Sequence, residues 1–322
     1  MRATVPKLTS SGRPAGLTSD VFEFFLAIML SYVVALVACA IFFANPIMRL
    51  FSSDVRRAVR SPRPQLNESL LALPGPNDSA IACPVDAYGV HIYSREPLVM
   101  YIENFLTAAE RSHLLEVSEG LFQPSTITHN GGSTHRDSAI RDSEVAMIPR
   151  TDTVRCVERR AHSFQGWREE LWVERLRTQR YTPGGHYNHH YDWSSNAGGW
   201  GRVSSMMAWV SVSEGMEGGG TEFPLLPAPV YPEDPENEPA ATGRPTAEET
   251  FWCKFLECED GRVATSEEGL GVTFKAVEGN AVFWTNFKAD GSADGYVETW
   301  HAGLPVKKGT KVGLNIWTVG RI

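Results

Sequence analysis

Tyr181-Thr-Pro-Gly-Gly-His-Tyr-Asn-His-His-Tyr-Asp-Trp193 decides what kind of chain this is. Side chains two positions apart on a strand project from the same face, so the imidazole of His190 and the carboxylate of Asp192 converge while Tyr191 faces away. An imidazole and a carboxylate meeting at one point are a pair of metal ligands. Two are too few to hold an ion tightly. The set that contains them is two His and one carboxylate, the facial arrangement that leaves positions open on Fe(II). A second His must come from downstream, and His301 in Glu298-Thr-Trp-His-Ala-Gly-Leu-Pro305 is the candidate. His189 and His190 are adjacent and face opposite sides of a strand, which argues against a zinc site built from that pair.

The stretch after His301 supplies a second chemical feature. In Lys311-Val-Gly-Leu-Asn-Ile-Trp317, Val312, Leu314 and Ile316 alternate with Lys311, Gly313, Asn315 and Trp317. That is a strand with one oily face. Its other face carries a cation, an amide and an indole, a set that suits the wall of a polar pocket, where a lysine meets the carboxylate of an acidic cosubstrate.

These residues resemble the 2-oxoglutarate and Fe(II)-dependent dioxygenases, and most closely the prolyl 4-hydroxylase catalytic domain. In that family a Tyr lies nine positions before the first metal His of a His-x-Asp motif, as Tyr181 does before His190. A Lys follows the second metal His by ten positions, as Lys311 follows His301, and a Trp follows that Lys by six, as Trp317 does. A Gly-Gly-x-Thr-x-Phe-Pro block between the histidines is matched by Gly219-Gly-Thr-Glu-Phe-Pro224 together with the preceding Gly218. The resemblance covers roughly residues 96–322. It implies Fe(II) held by His190, Asp192 and His301, and 2-oxoglutarate held by Lys311 and Tyr181 with Trp317 beside it. It further implies O2 as oxidant, ascorbate as accessory reductant, and a proline-containing peptide or protein as substrate, hydroxylated with release of succinate and CO2. Two alternatives stay open: the same chemistry on another residue or a small molecule, and a non-catalytic jelly-roll binding module.

At 322 residues and 42% hydrophobic composition the chain can bury one sizeable core with sequence left for appendages. A formal charge of −8 and a pI near 5.6 argue against a general nucleic-acid binder, whose footprint is a basic domain. Of the five cysteines, Cys39 falls in an apolar run, leaving Cys83, Cys156, Cys253 and Cys258. Their short separation makes Cys253 and Cys258 the favoured bridge; buried free thiols are the alternative.

In chain order, residues 1–20 form a polar tail too long for an ordinary cleaved signal peptide. Residues 21–44 contain the uncharged run Phe24 to Ala44, long enough to span a bilayer, and are expected to be a transmembrane signal anchor. Residues 45–95, rich in Arg, Pro, Ser and Asn, are expected to be a stem. Basic residues on the C-terminal side of the anchor would by themselves put the rest of the chain in the cytosol. The sequons at Asn67 and Asn77 point the other way, and the resemblance tips the expectation to a single-pass type II protein of the endoplasmic reticulum membrane with a lumenal catalytic domain. Residues 96–322 form that domain. A capping box at Thr107-Ala-Ala-Glu110 starts one helix, and residues 151–167 carry a second helical signal; both are expected to pack outside a sheet. Residues 136–144 read as a loop near the site entrance, with Arg141 a candidate for touching substrate, although a solvated surface arginine is the commoner outcome. Strand signals run from Trp172 to the end, at 172–181, 187–192, 205–212, 221–223, 272–275, 281–284 and 311–319. Short strands and turn glycines indicate an antiparallel sandwich or barrel, and the resemblance specifies a double-stranded β-helix, the jelly roll. Residues 225–250, rich in Pro, Glu and Ala, read as a flexible insertion.

Overall fold

The computed structural model describes residues 19–51, 62–76, 78–129, 133–165, 170–194, 198–228, 247–265 and 271–322. The chain divides into two compact units, Met1–Arg60 and Ser61–Ile322. The first contains helix α1, Ser19–Phe51, which includes the uncharged run. Its described side chains, at residues 23–39, are exposed and stop short of the end of that run at Ala44. Among the described residues no helix is long and apolar enough to cross a membrane.

The second unit starts at Ser61, well before residue 96. From residue 62 the expected stem lies against its own domain. Ala72 N–H donates to Val173 O at 2.8 Å and Arg175 N–H to Leu70 O at 2.8 Å. Asp78 pairs with Arg155 at 2.8 Å, and a Cys83–Cys156 disulfide staples the segment down. Backbone bonds and ion pairs of this kind leave no periodicity in a sequence, so composition alone reads as a linker. Asn77 lies outside the described residues.

The two principal sheets use β1 (Gly89–Arg95), β2 (Leu98–Glu103), β3 (Gln123–Pro124), β4 (Arg141–Asp142), β5 (Glu144–Met147), β6 (Leu171–Val173), β7 (Arg177–Tyr181), β8 (His186–His190), β9 (Trp200–Val212), β10 (Thr221–Phe223), β11 (Val272–Phe274), β12 (Ala281–Thr285), β13 (His301–Gly303) and β14 (Lys311–Arg321). Nine form one sheet in the order β1-β2-β12-β9-β14-β7-β5-β3, with β6 also pairing to β14; five form the other, β11-β10-β13-β8-β4. Every pairing in them is antiparallel.

Alternation along β9 builds the layers. Met206, Ala208 and Val210 face a cluster that includes Ile102, Phe283, Leu314 and Ile316, together with Leu114, Val154 and Val157. Those last three come from α2 (Ala108–Ser118) and α3 (Asp152–Ser163), which therefore cover the outside of the larger sheet. Met207 and Trp209 face the opposite way, packing with Tyr101, Val282 and Trp284 against Phe223, Val272 and Phe274 of the smaller sheet. Each such side chain contributes roughly 1.5–3 kcal/mol of burial. The result is a mainly β sandwich flanked by few helices, as the jelly-roll expectation requires.

Local chemistry sets the helix starts. The capping box of α2 is complete, with Thr107 and Glu110 bonded in both directions. Thr151 caps α3 by accepting from Val154 N–H, and Asp152 in the first turn with Arg160 and His162 in the last suit the helix dipole.

Three expectations need correction. Strands do not begin at Trp172: β1 to β5 precede it. β2 is buried along its middle with no alternation, and β3 and β4 are two residues each, so neither produced a period-two signal. The single strand expected over 172–181 is two: Glu174 N–H still bonds Trp317 O, but Arg175 N–H turns to Leu70 O and the ladder is interrupted until Arg177. Residues 229–246 of the expected insertion lie outside the described residues, but its end is the helix α4, Ala247–Trp252, too short to register as periodic. Trp252 is buried against the second core cluster, and Cys253 is bridged to Cys258.

Candidate metal centre

The site is assembled across strands. His190 is the last residue of β8 and is the Cα partner of His301, the first residue of β13. Their ring centroids lie 4.3 Å apart. His190 Nδ1 is 2.9 Å from the carbonyl of Asn188, and His301 Nδ1 is 2.9 Å from that of Thr299. A carbonyl only accepts, so each Nδ1 carries the proton and each Nε2 offers a lone pair. Both Nε2 atoms point to Asp192, at 3.7 Å from its Oδ1 and Oδ2 respectively. One donor atom from each of the three residues falls within 4.8 Å of the others, the one such metal-competent group among the described residues.

Asp192 reaches this point differently from the strand geometry expected. It lies beyond the end of β8, in a bend, so same-face alternation does not aim it. Burial pushes its carboxyl pKa up, but His301, His190, the Arg202 guanidinium and a Ser205 hydrogen bond outweigh burial and hold it to about 2. Burial and the neighbouring His301 pull His190 well below the usual imidazole range. At neutral pH the donor set is therefore a carboxylate with a neutral imidazole at His190, the protonation states a cation needs.

Lys311 opens β14 and is the Cα partner of Tyr181. It is 1% exposed. Its ammonium donates to the carbonyl of Gly219 and lies 4.8 Å from the centroid of the Tyr181 ring. Gly219 has φ +71°, and a Cβ there would crowd Val306 at 3.1 Å, which explains a glycine in that block. Burial lowers the Lys311 pKa to about 8, leaving the amine charged at neutral pH. Among the described residues no carboxylate pairs with it. This uncompensated cation lines one cavity with Tyr181, Tyr187, the triad and Trp317. A larger cavity, between residues 72–83 and α3, gathers no such donor set.

Trp317 forms cavity wall. The Arg202 guanidinium lies 4.0 Å from its ring centroid and that of Arg177 lies 4.9 Å away. Arg141, on β4, stacks 4.6 Å over Tyr187, whose ring in turn stacks 3.8 Å from that of His190. Sequence reasoning missed Tyr187 and Arg202. A register irregularity between Tyr187 and His190 brings these two rings together, and no fixed spacing foretells it. Arg202 had a signal, a lone charge in the long, largely buried strand β9. It is held by Glu174, with bonds of 2.5 and 3.0 Å, and its Nη1 is 4.0 Å from Asp192 Oδ1. His189 turns away and pairs with Glu222 at 2.7 Å; His186 bonds the carbonyl of Gly184 at 2.9 Å.

Residues 176–319 match the family model of the 2OG-Fe(II) oxygenase superfamily. Among curated proteins, Probable prolyl 4-hydroxylase 10 of Arabidopsis thaliana is 27% identical over 234 residues, covering 71% of this chain and 71% of the relative. Prolyl 4-hydroxylase 5 of the same plant is also 27% identical over 234 residues, covering 71% of this chain and 70% of the relative. Among solved structures, the viral collagen prolyl hydroxylase of Paramecium Bursaria Chlorella virus-1 in its 2OG complex aligns with a TM-score of 0.45 at 22% identity, covering 69% of this chain and 96% of that one.

Proposed function

We propose that this chain, a member of the 2OG-Fe(II) oxygenase superfamily through residues 176–319, hydroxylates proline in peptides or proteins. The reaction balances as R–H, O2 and 2-oxoglutarate giving R–OH, succinate and CO2. His190, Asp192 and His301 would hold Fe(II), and its bound chemistry supplies the oxidation of an unactivated C–H bond. The observation that carries the reading is Lys311: a buried ammonium with no carboxylate partner among the described residues, in the same cavity as a triad ready to bind a cation. A dicarboxylate such as 2-oxoglutarate fits both ends, one carboxylate toward the triad and the other on Lys311. Charge-assisted bonding at Lys311 fixes the cosubstrate's orientation. Tyr181 closes the wall beside it, Trp317 lines the cavity, and Asp192 keeps its charge. Ascorbate serves as accessory reductant.

Proline as the target is supported by the names of the Arabidopsis thaliana relatives. A peptide library incubated with the metal-loaded protein and 2-oxoglutarate tests it by mass spectrometry. Products one oxygen heavier at proline are expected. Oxygen appearing only on other residues, or only on small molecules, would refute peptidyl proline as the substrate.

The same reading makes the chain a single-pass protein anchored through residues 21–44, with its catalytic unit in the endoplasmic reticulum lumen. Its support is the uncharged run within α1 and two disulfides, Cys83–Cys156 and Cys253–Cys258, of the kind that persist in oxidising compartments. Asn67 adds to it: the residue is exposed, and its Oδ1 accepts from Ser69 N–H at 2.9 Å and Ser69 Oγ at 2.8 Å. A glycosidase-sensitive mobility shift lost in Asn67→Gln is expected. No shift, with the domain open to protease on the cytosolic face of intact vesicles, would put it in the cytosol.

A further inference from the structure

Strand pairing fixes His190 and His301 against each other, but Asp192 lies past the end of its strand and needs another restraint. The residue that follows it shows what that is. Trp193 Nε1–H donates to the Thr299 hydroxyl at 3.0 Å. That hydroxyl donates in turn to the carbonyl of Tyr296 at 2.7 Å, so its position and its proton are both committed. The Thr299 carbonyl accepts from Nδ1 of His301 at 2.9 Å. One buried threonine, 1% exposed, thus bonds through its side chain to the arm bearing Asp192 and through its backbone to the ring of His301.

The seat of the indole is also shaped for it. A Cβ at Gly295 would fall onto the Trp193 ring, so only glycine lets the ring lie there. A second path runs in parallel: the side-chain amide of Asn286, fully buried, donates to Ser205 Oγ at 3.1 Å and to Arg202 O at 2.9 Å, and the Asn286 backbone carbonyl accepts from Tyr296 N–H at 2.9 Å. Ser205 is hydrogen-bonded to Asp192.

We propose that Thr299 and Trp193 form a clamp that sets the Asp192 carboxylate at the right distance from His301, so that the triad is preorganised before a cation arrives. They are positioning residues, and the inference rests on the metal-site reading above. Outer-shell partners of metal ligands are typically worth about 10–100-fold in metal affinity. Without the clamp the bend after β8 swings, and the third ligand must be ordered at the moment of binding.

Titrating the metal-free full-length protein with Co(II), followed by visible d–d absorption, tests this without turnover. Thr299→Val, which keeps shape, and Trp193→Phe, which also trims the ring, each remove one hydrogen-bonding group and are expected to weaken Co(II) binding at least about tenfold and to alter the d–d band. Thr299→Ser, which keeps the hydroxyl, is expected to bind like wild type. The double variant is expected to be no weaker than the worse single one, because both remove one bond. Circular dichroism separates this from unfolding; if Thr299→Val does not fold, Trp193→Phe decides alone. A folded Trp193→Phe with wild-type affinity and spectrum overturns the clamp. Wild-type protein that binds no Co(II) overturns the triad reading itself, a different and distinguishable failure.

Discussion

Replacing Lys311 by Met should move two measurable quantities in opposite directions. The side chain is 1% exposed, and burial draws its pKa from 10.5 to about 8. Each pKa unit is worth about 1.4 kcal/mol, so keeping the proton on this amine at neutral pH costs the folded chain about 3 kcal/mol. The folded pKa lies below the unfolded one. The cost is therefore constant below about pH 8 and disappears as pH rises to the unfolded value. Lys311→Met removes it but orphans the Gly219 carbonyl that Lys311 bonds, at a penalty of about 1–3 kcal/mol. The ligand-free variant should thus be as stable as wild type at neutral pH or more so, by about 1 kcal/mol.

Binding of 2-oxoglutarate should suffer instead. Removing one partner of a buried, hydrogen-bonded charge pair costs about 2–5 kcal/mol, and a mid-range 3 kcal/mol is a loss of about 100-fold in affinity. Calorimetric titration of the Co(II)-loaded protein under anaerobic conditions measures the affinity, and urea denaturation of the metal-free protein measures the stability. A variant that is clearly destabilised without ligand, yet binds 2-oxoglutarate within about threefold of wild type, would refute Lys311 as the anion anchor.

The same lysine predicts a pH profile: cosubstrate affinity flat below about pH 8, then falling by up to about tenfold per unit above it as the empty-site amine loses its proton, with no such fall in Lys311→Met. His190→Ala, Asp192→Ala and His301→Ala should each abolish succinate formation coupled to substrate and weaken Co(II) binding; a variant that turns over normally is not a ligand. Opening Cys83–Cys156, which spans 73 residues, should cost about 4 kcal/mol by loop entropy, against about 2 for Cys253–Cys258, which spans five. Denaturation of the Cys→Ser pairs measures both, and equal losses would mean that loop entropy is not the source. Gly271→Ala places a Cβ onto Pro224 Cα and Phe223 O, backbone that cannot yield cheaply, so it should lose about 1–3 kcal/mol; an unchanged melting midpoint would show that β10 and β11 are less tightly apposed than described.

The sequence by itself determined the donor chemistry and the long strands. His190, Asp192, His301 and Lys311 were legible because open iron coordination and an acidic cosubstrate demand those residue types, and the lysine strand showed itself by alternation. The helix start at Thr107 was legible because capping is local, and the helix from Thr151 by its apolar period. What the sequence did not carry was everything set by contact across the chain. The strap from residue 62 to Cys83 reads as a linker until the bonds to β6 and the disulfide to α3 appear. Tyr187 joins the cavity through a register irregularity, and Arg202, held by an ion pair with Glu174, backs it from Asp192 and Trp317. Strand alternation aims Asp192 in the sequence, yet the residue sits in a bend, its side chain bonded to Ser205 and the arm that bears it tied through Trp193 to Thr299. Period and capping are properties of neighbouring residues and survive in one dimension. The position of the third ligand depends on a partner as remote as Thr299, 106 residues from Trp193, and only the folded chain brings the two together.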